Sequence, residues 1–234
     1  MAALLRNRSG LLTRARSGLM ALPIVAFVAV GYAATTLLDA VLADVNGATI
    51  AASDATIARA LGLFGFRPSE KPIHAADVRH LVDAWLIDAE ATRLQIAPTA
   101  AEVDDAWQTV AERVGGMDAL RRWLDRAGLD EAWVKKLVEA DLRWQRFVDV
   151  RFRAFVFVPE EDVAKALGPG PHTMDARARA VGVLREEAVN RDLASWLADA
   201  RAGAAIRNTG AEGTGLPLLF PLPAPADAAT TAPR

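Results

Sequence analysis

The chain contains no cysteine, and that absence removes several functions at once. There is no disulfide framework, no thiol nucleophile, no thiolate metal site and no lipid-modified cysteine anchor. Histidine is scarce too, with three in the whole chain, and tyrosine occurs once. His74 and His80 fall on different faces of a helix, and His172 stands alone in a proline-rich break, so no metal site is expected. No glycine-rich loop leads into Lys-Ser or Lys-Thr, which leaves nucleotide binding unsupported. Beyond residue 38 the serines are Ser53, Ser69 and Ser195, and none sits in a Gly-x-Ser-x-Gly elbow. The acidic pairs Asp104-Asp105 and Glu186-Glu187, like Glu160-Glu161-Asp162, are adjacent in sequence and diverge on a helix, so they cannot face one reacting group. These gaps together predict a protein that is not an enzyme and that carries no cofactor.

What is present begins with an apolar run at residues 18–38, twenty-one residues without a formal charge. Arg6, Arg8, Arg14 and Arg16 precede it with no acid among them. About 20 apolar residues suffice for a helix to cross the hydrocarbon core, and basic residues ahead of a span hold that end in the cytoplasm. Residues 1–17 then form a basic cytoplasmic region, and everything after residue 38 is exported. Two readings of the run stay open: an uncleaved anchor in the inner membrane, or a signal peptide cut near Ala33 and Ala34 that releases the rest to the periplasm. The whole chain carries 27 basic and 29 acidic residues; removing the four leading arginines leaves 23 against 29, or −6. That balance speaks against a nucleic-acid partner, which calls for a basic stripe. Lys135, Lys136, Arg143 and Arg146 gather on one long helical segment, where a solvated face is the plain account.

Six tryptophans, abundant alanine and leucine, and few β-prone stretches point to helices packed on large anchors. Val41, Ala43 and Val45 alternate before Asn46-Gly47, which reads as a short strand running into a tight turn. Ser53 or Asp54 is expected to cap a helix through Ile57 and Leu61. Val78, Leu81, Val82, Trp85, Leu86 and Ala89 step by three and four along a second helix. Thr99-Ala-Ala-Glu102 is a capping-box pattern opening a third, with Trp107 in its apolar stripe. A short helix follows over 117–127, and the longest periodic segment, opening at Leu129 and Asp130, carries Trp133, Leu137 and Val138 and is expected to be the spine. Phe155-Val-Phe-Val158 is apolar and β-prone, but Pro159-Glu-Glu-Asp162 starts another helix at once. A last long helix is predicted over about 174–202, then a brief strand at 204–207. From residue 208 to 234 glycine, proline and alanine dominate, and a disordered tail is expected.

This order resembles the N-terminal chaperone domain of the SurA, PrsA and PpiD group of extracytoplasmic foldases. The likeness is carried by Val45-Asn46-Gly47 with Ile50, by Leu86-Ile-Asp-Ala-Glu90 and Arg93-Leu-Gln-Ile96 before Pro98, and by Trp196-Leu-Ala-Asp-Ala-Arg201 with Ile206. It covers residues 39–207. In that group a parvulin-type prolyl isomerase domain usually separates the short helix after Val-Pro-Glu-Glu from the returning helix. Here only residues 168–173 lie between them, so the resemblance implies the chaperone half without its enzyme.

The expected fold is therefore mainly α: a multi-helix domain like the SurA N-terminal domain, preceded by one hydrophobic helix. A minimal β pair, 40–45 with 204–207, is implied by the resemblance. The expected function is binding of unfolded or extended polypeptides outside the cytoplasm without catalysis. A membrane-anchored adaptor gripping one folded partner is the alternative, and prolyl isomerisation comes third. Trp123, Trp144, Phe147, Phe152, Phe155 and Phe157 exceed what one helix face can hide, and they are the candidate peptide-binding residues. The oligomeric state is left open.

Overall fold

A computed structural model describes residues 39–209 and 215–223. The apolar run at 18–38 and the basic region before it lie outside the described residues. Among the described residues no helix is long and apolar enough to cross a membrane. The domain is mainly helical, with seven α-helices and one small sheet among the described residues.

The sheet begins where alternation predicted it. Strand β1 (Val41–Val45) turns at Asn46-Gly47 into β2 (Ala48–Ala51) and pairs antiparallel with it. Asn46 and Gly47 both have positive φ, 54° and 88°, as such a turn requires. On its other side β1 pairs antiparallel with β3 (Ile206–Asn208), so the order is β2-β1-β3. Asn46 locks that closure: its amide donates to Ala205 O at 2.9 Å, and its Oδ1 accepts from Ala205 N at 2.8 Å. The expected pair of strands is thus a three-stranded sheet. A register shift between Val41 and Ala43 breaks the expected alternation, leaving Val41 exposed while Leu42, Ala43 and Val45 are buried, and Ile50 of β2, opposite Ala43, is fully buried.

Helix α1 (Ala52–Leu61) starts directly after β2, earlier than a cap at Ser53 or Asp54 implies. Its first amides are met by two carboxylates. Asp54 Oδ2 accepts from Ala51 N at 2.8 Å, while Asp39 Oδ1 accepts from Ser53 N at 3.0 Å and its other oxygen takes the Ser53 hydroxyl. Burial of Asp54, aided by repulsion from Asp39 and opposed by the Ala51 amide, pushes its pKa up to about 6. Between about pH 4 and 6 the folded chain therefore holds a proton that the unfolded chain releases. Stability from this group is present below the unfolded value and is lost as pH rises through about 6, on the order of 2–3 kcal/mol in all. Asp54→Asn is expected to remove that slope in urea denaturation between pH 4 and 7; parallel profiles for the two proteins would contradict the account.

Helix α2 (Ala75–Arg93) follows a proline loop, and α3 (Ala100–Arg113) opens on the anticipated capping box, with Thr99 N donating to Glu102 Oε2 at 2.6 Å and Glu102 N donating to Thr99 Oγ1 at 3.3 Å. Helix α4 (Met117–Ala127) is closed by Gly128, and α5 (Glu131–Arg151) is capped by Asp130. Helix α5 is the spine: Val134, Leu137 and Val138 bury in the main core with the hairpin and α1 to α4. Its far end, through Phe147 and Val148, joins Ile87 and Ala91 of α2 in a second cluster. Helices α6 (Glu160–Leu167) and α7 (Met174–Gly203) are linked by residues 168–173, and Val189 and Leu197 of α7 complete that second cluster. Arg201 fixes α7 to α2 by a two-pronged contact with Asp83, at 2.6 and 2.5 Å.

The expectation of disorder from residue 208 onward is corrected in part. Thr209 continues off β3, and residues 215–223 lie against the main core, with Phe220 buried there and Leu216, Leu218, Leu219 and Leu222 packed beside it. The reason is compositional: Leu216-Pro-Leu-Leu-Phe-Pro-Leu222 holds enough apolar surface to offset the ordering cost.

Candidate functional site

The six candidate aromatics separate into two groups. Trp123 is 1% exposed in the main core, where its Nε1 donates to Pro221 O at 2.8 Å. Phe147 is 0% exposed and stacks at a steep angle on Phe152 and Trp196, with ring centres 5.8 and 5.1 Å away. Phe152 is buried in the same cluster. These three are therefore core residues and not an open binding surface. Each falls on the inner side of its helix or just past its end, and the wide apolar stripe of α5 is divided between two cores. Trp144 is half-buried and touches both clusters.

Phe155 and Phe157 are the opposite case, 80% and 83% exposed. They lie where α5 gives way to a single 3-10 turn at Arg153–Phe155 and then to extended chain before Pro159. In extended backbone successive side chains point to opposite sides. Val156 and Val158 are half-buried while Phe157 faces solvent, and Val156 packs against the second cluster. The segment is braced at both flanks. Phe152 anchors the turn, and Phe155 N donates to Phe152 O at 3.0 Å. The Arg153 guanidinium reaches across to both carboxylate oxygens of Glu186 on α7, at 3.1 Å each, and also contacts Asp149. At the other end Val163 of α6 is buried. The result is a fixed ledge that holds two phenylalanines in water.

Two tryptophans that periodicity assigns to the core pack against it and also wall a cleft. Trp85 of α2 and Trp133 of α5 are half-buried, and with Phe64 and Leu137 they line a cavity of about 380 Å³. Phe64 and Trp85 have ring centres 6.0 Å apart. At the cleft's edge Arg143 Nε lies 2.9 Å from Asp88 Oδ1; burial raises the Asp88 pKa and the guanidinium opposes the rise. The sequence signal for this cleft is the breadth of the α5 stripe, which places Trp133 and Val134 on adjacent faces.

A larger cleft of about 470 Å³ runs between α3 and α5. Asp141 lies in it, mostly buried, accepting from Phe64 N at 2.6 Å and Gln145 Nε2 at 2.8 Å. Burial raises its pKa, and those two donors work against the rise. Glu102 is held by Thr99 and Arg146. Asp141 and Glu102 are thus spent on structure, and no histidine, serine or lysine stands among the residues that line this cleft. His80 Nε2 meets Phe64 O at 2.6 Å, and His172 Nε2 meets Gly168 O at 2.9 Å, so these two histidines serve separate backbone carbonyls. Among the described residues no three histidine or carboxylate side chains converge as a metal site.

No family model matches the chain, and no curated protein matches it.

Proposed function

We propose that this domain binds unfolded or extended polypeptide without turnover, on the outer side of the cytoplasmic membrane, and that the Phe155–Phe157 ledge is its contact surface. The observation that carries the reading is the braced exposure of those two rings. A folded monomer gains nothing by fixing two phenylalanines in water, whereas aromatic anchors dominate binding energy at interaction sites. Support also comes from the resemblance to the SurA, PrsA and PpiD chaperone domain. The Trp85–Trp133 cleft supplies a second aromatic surface on the same fold. Residues 18–38 would tether the domain where exported chains emerge, or would be removed to free it into the periplasm.

The test is light scattering by an aggregating client in the presence of the purified full chain. Suppression at a few-fold molar excess is expected, with no prolyl isomer turnover. Absence of suppression overturns the reading, and recovery of one stoichiometric folded partner from membranes favours the adaptor instead.

A further inference from the structure

Residues 215–223 cross the domain in a manner that resembles a bound peptide more than a structural element. Ile73 N donates to Leu216 O at 2.7 Å, and Leu216 N returns a bond to Ile73 O at 2.8 Å, forming one antiparallel bridge. The pairing stops at this one bridge. Leu219 N then donates to Thr56 Oγ1 of α1 at 3.4 Å. The Trp123 indole of α4 donates to Pro221 O at 2.8 Å, and Phe220 stands edge-on to Trp123 with ring centres 5.6 Å apart. A backbone pair sets direction, an indole N–H meets a carbonyl, and a buried pocket takes an aromatic ring. These are the elements by which grooves recognise extended peptides.

We infer that the cleft formed by Thr56, Ile73 and Trp123 is a binding site for an extended apolar segment punctuated by proline, occupied in cis by residues 215–223 and opened when a polypeptide of that chemistry displaces them. The inference deepens the proposed function and rests on it for the identity of the competitor. Three features make the strap a displaceable ligand. A single bridge pair holds its start, its four leucines are only half-buried, and each of its polar contacts uses its own backbone groups, which any extended chain offers. Specificity resides in the Trp123 pocket, which takes Phe220 here.

Gly215 allows docking to be changed from outside the cleft. It has φ +66°, and a Cβ there would lie 2.8 Å from His74 Cε1 and 3.2 Å from Pro72 Cβ. Gly215→Val should lift the strap while leaving its apolar residues and the cleft intact. The opposite variant, Ile73→Cys with Leu216→Cys, joins a directly paired position in a chain that has no other cysteine.

The experiment is fluorescence anisotropy with a fluorescein-labelled peptide of sequence 215–223 and the full chain. If the strap fills the cleft in nine molecules of ten, freeing it tightens apparent binding about tenfold. G215V is therefore expected to bind about tenfold more tightly than wild type, and oxidised I73C/L216C to lose binding that reduction restores. Equal affinity of G215V and wild type, or binding unaffected by oxidation, overturns the inference. Should G215V fail to fold, the oxidised and reduced forms of the double-cysteine chain decide the matter alone. Client protection with no peptide exchange overturns this inference and leaves the ledge in place. Peptide exchange without client protection overturns the ledge and leaves the cleft.

Discussion

Replacing Phe155 and Phe157 together with serine is expected to weaken client protection at least tenfold, while the free energy of unfolding stays within about 0.5 kcal/mol of wild type. Both rings are more than three-quarters in water, at 80% and 83% exposure, so the fold gains little from them. The neighbours that hold the ledge, Phe152, Arg153 and Val156, are untouched. Equal protection by the double variant would remove the ledge from the binding surface. A large loss of stability would show instead that the rings pack against something.

Phe147→Ala is expected to have the largest effect on stability, about 3–5 kcal/mol by urea denaturation, because the ring is fully buried and its loss leaves a cavity among Phe152, Trp196 and Val189. That is a large fraction of a typical domain's total of about 5–15 kcal/mol. Phe147→Leu keeps most of the volume and should cost roughly 1 kcal/mol. The pair of variants separates two roles that the sequence does not distinguish. A side chain that anchors the ledge loses stability in proportion to the volume removed. One that touches client loses protection at unchanged stability, and that result would restore Phe147 to the binding surface.

Why did these aromatics look alike in the sequence? Phe147, Phe152 and Phe155 are spaced by five and three, across the end of a helix, and periodicity ceases to report facing once the chain leaves helical geometry. The change occurs at Phe152, with φ −120° and ψ −60°, after which a 3-10 turn and extended backbone take over. Three residues then reverse a side chain from core to solvent. Local signals read well elsewhere. The Thr99–Glu102 capping box, the Asn46-Gly47 turn, the Gly128 stop and the bounds of α4 all rest on near-neighbour chemistry, which sequence displays directly.

What escaped were features that depend on distant partners. Strand β3 is not among them: the brief strand expected at 204–207 pairs with β1, held by Asn46, whose amide and side chain both meet Ala205, while β2 went unread. Residues 215–223 are low in charge and rich in proline, and that composition reads as a tail until Trp123, Ile73 and Thr56 are brought beneath it. Trp85 and Trp133 show the same effect at the candidate site. Each lies on a helical stripe, yet they meet across α2 and α5 as the walls of a cleft.

The account turns on whether the ledge touches extended polypeptide. Site-specific photo-cross-linking from position 157 of the full chain, in membranes carrying nascent exported proteins, asks that question directly. Adducts with many unrelated polypeptides from position 157, and none from the buried position 147, are predicted. No adducts from position 157, or adducts with one folded partner alone, would contradict the account.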